Sequence, residues 1–342
     1  MKLKKVIALI SAAAICSTLF AGCSSSGTSS QSNGTSTGGT SAAGTSSTDW
    51  PKRTINMICC FSAGGDTDYN SREIAKYLGQ KLGQSVVVTN VTGSGGTIAA
   101  TQVKNSKADG YTCLVDHAAM NVAQASGLAS FGYEAFDPAC IFGMGEGEAI
   151  VVRADSPWKS VKDMIADSKK NPNKYKTIVS AGATTAWVQT GMQMAGGKLT
   201  VVSGGNASDR LPQLLGGHID YAVISVSMLK DYLKTNKLKM LAVNTPERCK
   251  DYPDVPTLKE SGVDVSYNND YTIFFPKGTD KAIIDKMNAS VKDIVLNNKE
   301  YQTAIKTTYG QDPAFKDQSE TLPYYKDELA RLMKISDKLQ GK

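Results

Sequence analysis

The stretch Thr54-Ile-Asn-Met-Ile-Cys-Cys-Phe61 is mostly apolar, and the loop Ser62-Ala-Gly-Gly-Asp-Thr67 follows it directly. The apolar run predicts a buried strand, and the two glycines predict the turn that ends it. Between residues 68 and 82 the apolar side chains recur at three- and four-residue intervals, which predicts a helix. A strand, a glycine loop and a helix therefore form the first unit of the fold.

The same unit recurs along the chain. Further strands are predicted at residues 86–89, 111–115, 177–180, 199–202, 221–224 and 238–243. Helices are predicted at residues 97–105 and 208–215, and from the loop at residues 181–185 through Met194. Alternation of this kind is typical of an α/β fold with mostly parallel sheets.

Four of the loops between a strand and a helix contain glycine, at residues 63–66, 93–97, 182–185 and 204–208. Parallel sheets bring such loops together at the carboxyl ends of the strands. Free backbone N–H groups and the positive ends of the helix dipoles then face one cleft, which suits an anion. Neither GxGxxG nor GxxxxGK[ST] occurs, so nucleotide binding has little support. Two pairs of loops fit a carboxylate that is held from two sides.

Composition excludes several classes of protein. The chain has 342 residues, 41% of them hydrophobic, so it is long and apolar enough for a sizeable core. The net charge of +6 falls to about +3 without Lys2, Lys4 and Lys5, which is too little to indicate nucleic-acid binding. There are two histidines and neither HExxH nor Cys-x-x-Cys, so we expect no metal site and no cofactor.

The N-terminal residues predict export and an anchor. Residues 1–22 combine a basic start with an apolar stretch too short to span a bilayer comfortably, which predicts a signal peptide. The sequence Phe20-Ala21-Gly22-Cys23 resembles a bacterial lipobox, so Cys23 is the expected lipidation site, and the alternative is an ordinary secretory signal with an incidental cysteine. In residues 24–49, Ser, Thr and Gly make up 21 of 26 positions, so residues 23–49 are expected to form a lipidated tether.

The folded part, residues 50–342, is long enough for two domains. It contains five cysteines, an odd number without framework spacing, which argues against a disulfide-stapled scaffold but leaves a single disulfide open. Cys59, Cys60 and Cys113 lie in apolar runs and are expected to be small core residues.

Seven ordered motifs resemble one known family. Cys60-Phe-Ser-Ala-Gly-Gly-Asp-Thr-Asp68 resembles P-F-x-P-G-G-x-x-D, Asn90-Val-Thr-Gly-Ser-Gly-Gly-Thr-Ile98 resembles N-R-P-G-A-G-G-x-I, and Asp109-Gly-Tyr-Thr112 resembles D-G-Y-T. Matches continue at residues 215–220, 241–243, 252–262 and 275–278. The pattern is that of the Bug family, the extracytoplasmic substrate-binding proteins of tripartite tricarboxylate transporters.

This resemblance implies a two-lobed fold of the periplasmic-binding-protein type (type II, Venus flytrap), with a mostly parallel sheet flanked by helices in each lobe. Lobe 1 is expected at residues 50–120 and 243–342, and lobe 2 at residues 121–242. The implied protein is not an enzyme. It is a monomeric receptor, lipid-anchored to the outer face of the cytoplasmic membrane, that binds a small carboxylate and delivers it to the subunits of a membrane permease.

The resemblance also implies the ligand-binding residues. In lobe 1 they are Phe61, Ser62, Ala63, Gly64, Gly65, Thr67 and Asp68, with a second wall of Ser94, Gly95, Gly96 and Thr97. In lobe 2 they are Gly182, Ala183, Thr184 and Thr185, with Asn206 and Ser208 from a less well aligned turn. Ala63 and Ala181 replace prolines of the family pattern, and the aromatic-lysine pair before the fourth turn is absent, which puts a tricarboxylate ligand in doubt.

Other interpretations remain open from the sequence. Asp66 or Asp68 can be the N-cap of the first helix, and His117 and His218 can be ordinary structural histidines. A lipid-anchored hydrolase is the rival function, but the one G-x-S-x-G match, Gly34-Thr-Ser-Thr-Gly38, lies in the Ser/Thr/Gly-rich tether and not between a predicted strand and a predicted helix. A thiol enzyme would need Cys59 or Cys60 exposed. A surface adhesin is suggested by the tether alone.

Overall fold

The first strand, loop and helix form where the sequence predicts them. Strand β1 (Ile55–Cys59) is buried along most of its length, and helix α1 (Asp66–Leu82) follows the glycine loop. Gly83 ends this helix in the left-handed conformation, where a residue without Cβ is favoured, and its N–H donates to the Gly79 carbonyl. This computed structural model describes residues 49–342, so the predicted signal peptide, Cys23 and the tether up to residue 48 lie outside it.

Strands and helices alternate through the rest of the chain. The other strands are β2 (Val86–Asn90), β3 (Thr112–Asp116), β4 (Phe136–Met144), β5 (Glu148–Arg153), β6 (Lys176–Val179), β7 (Thr200–Ser203), β8 (Ala222–Ser225), β9 (Leu238–Val243) and β10 (Asp270–Pro276). The other helices are α2 (Thr97–Lys104), α3 (Ala119–Ala125), α4 (Val161–Lys170), α5 (Thr184–Met194), α6 (Ala207–Leu215), α7 (Lys230–Lys234), α8 (Lys281–Asn297), α9 (Lys299–Tyr309), α10 (Gln318–Met333) and α11 (Ser336–Leu339). Short 3₁₀ turns lie at Ser94–Gly96, Tyr133–Ala135 and Val226–Met228.

The strands of the described region form three sheets. The first has the order β2-β1-β3-β10-β4, with β1 parallel to β2 and β3, and with β10 antiparallel to both of its neighbours. The second has the order β8-β5-β9 and is antiparallel, while β6 and β7 form a parallel pair. The α/β class is confirmed, but the expectation of mostly parallel sheets is wrong in detail, because antiparallel β10 makes the first sheet mixed and both strand pairs of the second sheet are antiparallel.

The chain passes twice between the first two sheets. It leaves the first sheet after β4, at residues 145–147, and returns between β9 and β10, at residues 244–269. Strand β4 pairs with β10, although residues 136–144 fall within the predicted lobe 2. If each lobe is built on one of these sheets, lobe 1 extends past the predicted limit at residue 120.

Helices cover both faces of the first sheet. On one face α1, α8 and α9 enclose a core in which Tyr77 meets Tyr301 edge to face at a centroid distance of 5.9 Å. On the other face α2, α3 and α10 pack over Ile58, Leu114 and Phe274. Two further clusters surround the second sheet. No helix within residues 49–342 has the length and apolar character needed to cross a bilayer.

The five cysteines of the described region are buried and unpaired, which confirms the expectation that Cys59, Cys60 and Cys113 are core residues and shows no disulfide among these five. Burial raises the pKa of the Cys59 thiol to about 11 and the pKa of the Cys60 thiol well above its ordinary value. Both thiols therefore stay protonated at neutral pH, which argues against a thiol enzyme in this part of the chain.

Candidate functional site

The loop after β1 presents the first turn of α1. Gly64 has a φ of +79°, which favours glycine, and its N–H donates to Asp68 Oδ2 at 3.0 Å. The N-cap is Gly65, which has no side chain to cap the helix, so the N–H groups of Asp66 and Thr67 have no intrahelical acceptor. The alternative of Asp66 or Asp68 as the N-cap is wrong, because both lie inside the helix.

Asp68 holds this loop in place. Its carboxylate is buried, accepts a hydrogen bond from Asn90 Nδ2 at 2.8 Å and pairs with Arg72 at 2.9 Å. Burial by itself would raise the pKa of Asp68, but its hydrogen bonds outweigh burial and lower the pKa. These contacts account for the charge of Asp68 without a ligand.

Two more helix starts come from the segments that follow β6 and β7. Helix α5 begins after Ala183 and α6 after Asn206, and no side chain caps the N–H groups of the first turn of α5. The Ser180 hydroxyl donates to the Gly205 carbonyl at 2.6 Å, which joins the two segments. Both helices are long enough for their first-turn N–H groups to favour an anion.

These three helix starts meet at one pocket. Asn206 Nδ2 donates to Ser62 Oγ at 2.5 Å, so a residue after the first sheet contacts a residue after the β6–β7 pair. The pocket is lined by Phe61, Ser62, Gly65, Asp66, Thr67, His117, Glu148, Ser180, Ala183, Thr184, Thr185, Asn206, Ala207, Ser208, Arg210 and Asn269.

Nine residues of the sequence-predicted site line this pocket. They are Phe61, Ser62, Gly65, Thr67, Ala183, Thr184, Thr185, Asn206 and Ser208. Ala63, Gly64, Asp68 and Gly182 belong to the same loops but lie outside the lining. The structure therefore groups residues from three of the four predicted loops, and their contact with a ligand remains a prediction.

The fourth loop lies apart from the pocket. Gly95, Gly96 and Thr97 line a separate small cavity with Asp116 and Met120, and Ser94 lines neither cavity. A Cβ on Gly95 would lie 2.6 Å from the Ala181 carbonyl oxygen and 2.8 Å from the Ala183 nitrogen. The second wall predicted at residues 94–97 therefore packs against the turn that precedes α5 instead of lining the pocket.

Seven lining residues were not predicted: Asp66, His117, Glu148, Ser180, Ala207, Arg210 and Asn269. Three of them, Asp66, Ser180 and Ala207, adjoin predicted residues in sequence and could have been included as loop neighbours. Glu148, Arg210 and Asn269 come from a strand, a helix and a crossing segment, and no local motif marks them. Their shared location depends on the packing of the sheets.

Two buried side chains of opposite charge, Glu148 and Arg210, form part of the pocket lining. Glu148 Oε2 accepts hydrogen bonds from Thr184 Oγ1 at 2.9 Å and from the Tyr267 hydroxyl. Arg210 donates through Nε to the Val223 carbonyl and through Nη1 to the Gly205 carbonyl, both at 3.0 Å. Burial raises the pKa of Glu148, and the positive charge of Arg210 opposes part of that rise.

His117 is a neutral part of the wall. Its ring stacks on Phe61, with a centroid distance of 4.7 Å and an interplanar angle of 5°. Burial lowers the pKa of His117 to about 4, so the imidazole is uncharged at neutral pH. Nδ1 accepts from the Ala119 N–H at 3.4 Å, which leaves the proton on Nε2. His117 thus offers a hydrogen-bond donor without adding charge.

Nothing in residues 49–342 gathers three or more His, Cys, Asp or Glu side chains into a metal site. A second cavity lies near the crossing segments and is lined by Glu146, Asp251 and Asp312 together with Arg248 and Lys306. No helix begins at this cavity, and its charges are of both signs. The pocket with three helix starts is therefore the better candidate for an anion.

Comparisons with known proteins agree with the fold and the motifs. A family model described as "Tripartite tricarboxylate transporter family receptor" matches residues 71–340. A Cupriavidus necator protein named "UPF0065 protein in gbd 5'region" is 32% identical over 248 residues, covering 71% of this chain and 75% of that protein. Protein BugT of Bordetella pertussis is 27% identical and covers 82% of this chain and 88% of its own length.

Solved structures show the same similarity. The periplasmic binding protein BugD has a TM-score of 0.76 at 27% identity and covers 85% of this chain and 98% of its own. The structure titled "R. palustris Rpa4515 with adipate" has a TM-score of 0.74 at 25% identity, covering 86% of this chain and 99% of its own. The chain therefore belongs to the tripartite tricarboxylate transporter receptor family, whose members are solute receptors of the Bug type and not enzymes.

Proposed function

We propose that this chain is an extracytoplasmic, membrane-anchored receptor that captures a small carboxylate in the pocket and delivers it to a tripartite tricarboxylate-type permease. The observation that carries the proposal is the meeting of the first turns of α1, α5 and α6 at one pocket. N–H groups at the start of each helix have no intrahelical acceptor, although the α6 capping box pairs the Asp209 N–H with the Asn206 side chain. Together with the positive ends of the helix dipoles, the remaining first-turn N–H groups are suited to carboxylate oxygens.

The neighbouring structure with adipate supports a carboxylate ligand, since it shares the fold at 25% identity. The lining of the pocket also supports closure around a ligand, because it combines residues that follow strands of the first sheet with residues beyond the first crossing segment. Ser62 and Thr67 follow the first sheet, whereas Thr184 and Asn206 begin helices beyond the first crossing. A carboxylate bound to both groups would hold them together, which is how hinge-type receptors close.

The anchor and the permease are proposed from the sequence and the family. Cys23 follows a lipobox-like sequence, and the Ser/Thr/Gly-rich tether would keep the folded part off the membrane surface. Delivery to a permease follows from membership of a transporter receptor family.

Titration calorimetry of the purified full chain against mono-, di- and tricarboxylates tests the proposed function. We expect at least one acid to bind, and Asn206→Ala to weaken it about tenfold, because the Asn206–Ser62 link across the pocket is lost. The matched control is Asn298→Ala, which removes the N-cap of α9 away from the pocket and should leave affinity unchanged. Absence of binding by every acid would contradict the proposed function, and palmitate labelling that persists in Cys23→Ser would contradict the anchor.

A further inference from the structure

The pocket lining contains hydrogen-bond donors and also side-chain acceptors that have no partner within residues 49–342. The first turns of α1, α5 and α6 supply donors. The acceptors are side-chain oxygens of Asp66 and Asn269, which both line the pocket. A simple carboxylate satisfies the donors alone.

Asp66 places a negative charge at the start of α1. Its Oδ2 accepts from the Tyr271 hydroxyl at 2.9 Å and from Asn269 Nδ2 at 3.4 Å, and within residues 49–342 its Oδ1 accepts no hydrogen bond. An acidic residue in a first turn complements the helix dipole. In a carboxylate pocket, however, that charge repels the ligand and cancels part of the attraction from the helix.

Asn269 supplies a second indication of a donor on the ligand, separate from the charge of Asp66. Its side chain is 3% exposed, and its Oδ1 lies buried with no hydrogen-bond partner in the described part of the chain. Buried polar atoms in folded proteins nearly always have a partner, so an unpaired acceptor that lines a pocket indicates a donor on the ligand. The helix dipole does not explain this acceptor.

The other charges of the pocket do not neutralise Asp66 in full. Arg210 is the single Lys or Arg side chain of the lining, and both Glu148 and Asp66 act on it, so its one positive charge is shared between two carboxylates. His117 is uncharged when its Nε2 carries the single proton. Part of the negative charge of Asp66 is therefore left for a cationic group of the ligand.

We propose that the ligand is an amino acid, a small carboxylate with a free ammonium group. Its carboxylate accepts from the first-turn N–H groups, and its ammonium donates to Asp66 and Asn269. A single ammonium group supplies three hydrogen-bond donors and one positive charge. It therefore compensates the negative charge of Asp66 and also provides a donor for Asn269 Oδ1. This inference rests on the proposed function and narrows its substrate class.

The test compares pairs of ligands that differ only in the amino group: alanine with propionate, aspartate with succinate, and glutamate with glutarate. Calorimetry of the full chain should show the amino acid of the best-binding pair to be about 30-fold tighter or more than its partner. Equal or tighter binding of the acid without the amine overturns this inference and leaves carboxylate capture intact. Failure of all six to bind overturns the amino-acid assignment, and failure of the wider acid panel as well contradicts the proposed function.

Variants of Asp66 and Asn269 test whether these two residues cause the preference for an amino acid over the acid that lacks the amine. Asp66→Asn keeps the shape of the side chain and removes its charge, so the ratio between paired ligands should fall to about threefold or less. Asn269→Ala removes the unpaired acceptor and should weaken the amino acid more than its partner. Asp163→Asn, in the first turn of α4, is the matched control and should leave the ratio unchanged. An unchanged ratio in both folded pocket variants would overturn the inference.

Discussion

At the scale of single residues, the carboxylates of Asp66 and Asp68 have different surroundings, although the two residues are only two positions apart. Asp68 is turned into the protein, where Gly64, Arg72 and Asn90 occupy its oxygens. Asp66 lines the pocket, and one of its oxygens has no partner within residues 49–342. The family motif points to Asp68, yet Asp66 is the one of the two that lines the pocket. A motif in sequence does not show which way each side chain turns.

Glu328 gives a prediction about pH and stability. Its side chain is fully buried in α10, where Oε2 accepts a hydrogen bond from Asn121 Nδ2 at 2.9 Å and Oε1 has no partner among the residues that the structure describes. Burial raises the pKa of Glu328 to about 8 from an ordinary 4.5. The unfolded chain therefore ionises first, and the stability present below about pH 4 is lost progressively as pH rises towards 8.

Glu328→Gln cannot ionise, so its unfolding free energy should fall less between pH 4 and pH 8 than that of the unchanged chain. We expect a difference of about 2–4 kcal/mol between the two pH values, measured by denaturant unfolding. Asp327→Asn, at the exposed neighbouring position, should keep the pH dependence of the unchanged chain. Parallel curves for Glu328→Gln and the unchanged chain would contradict the burial argument.

At the scale of elements, local sequence predicted most of the α/β units. Strands β1, β2, β3, β6, β7, β8 and β9 and helices α1, α2, α5 and α6 form within two residues of the predicted positions. Their apolar spacing and glycine loops are local signals, so neighbouring residues suffice to identify them. Strands β4, β5 and β10 were not predicted, and the antiparallel pairing of β10 depends on contacts across more than 100 residues.

The position of the turn at residues 94–97 also depends on a contact with a distant segment, which local sequence does not predict. Gly95 has a φ of +63° and packs against the turn that precedes α5, so Gly95→Ala would push these two loops apart. We expect a loss of about tenfold or more in carboxylate affinity, because the α5 start would shift away from the α1 start. Calorimetry measures this loss.

Gly83→Ala is the matched control for Gly95→Ala. Its φ of +69° gives the same strain of about 1 kcal/mol, but a Cβ there would meet no atom within 4 Å. Both variants should lose stability, and Gly95→Ala alone should lose affinity. Equal affinities in the two variants would show that the contact between the loops does not position the pocket.

At the scale of the whole molecule, the pocket is assembled from segments far apart in the chain. Loop residues near the helix starts were predictable because the glycine pattern marks them. Glu148, Arg210 and Asn269 were not, because a charged or amide side chain gains its role only where the sheets and crossing segments pack together. Part of the pocket wall therefore comes from residues that no local motif marks.

The most direct test of this account is a crystal structure of the chain with its tightest-binding small carboxylate. We predict carboxylate oxygens within about 3.2 Å of first-turn N–H groups of α1 and of α5 or α6. Thr67, Thr184 and Ser208 lie in the first turns of α1, α5 and α6 and line the pocket, so we expect the ligand near them. A ligand bound instead in the cavity beside Glu146 and Arg248, or one that contacts none of the three helix starts, would contradict the account.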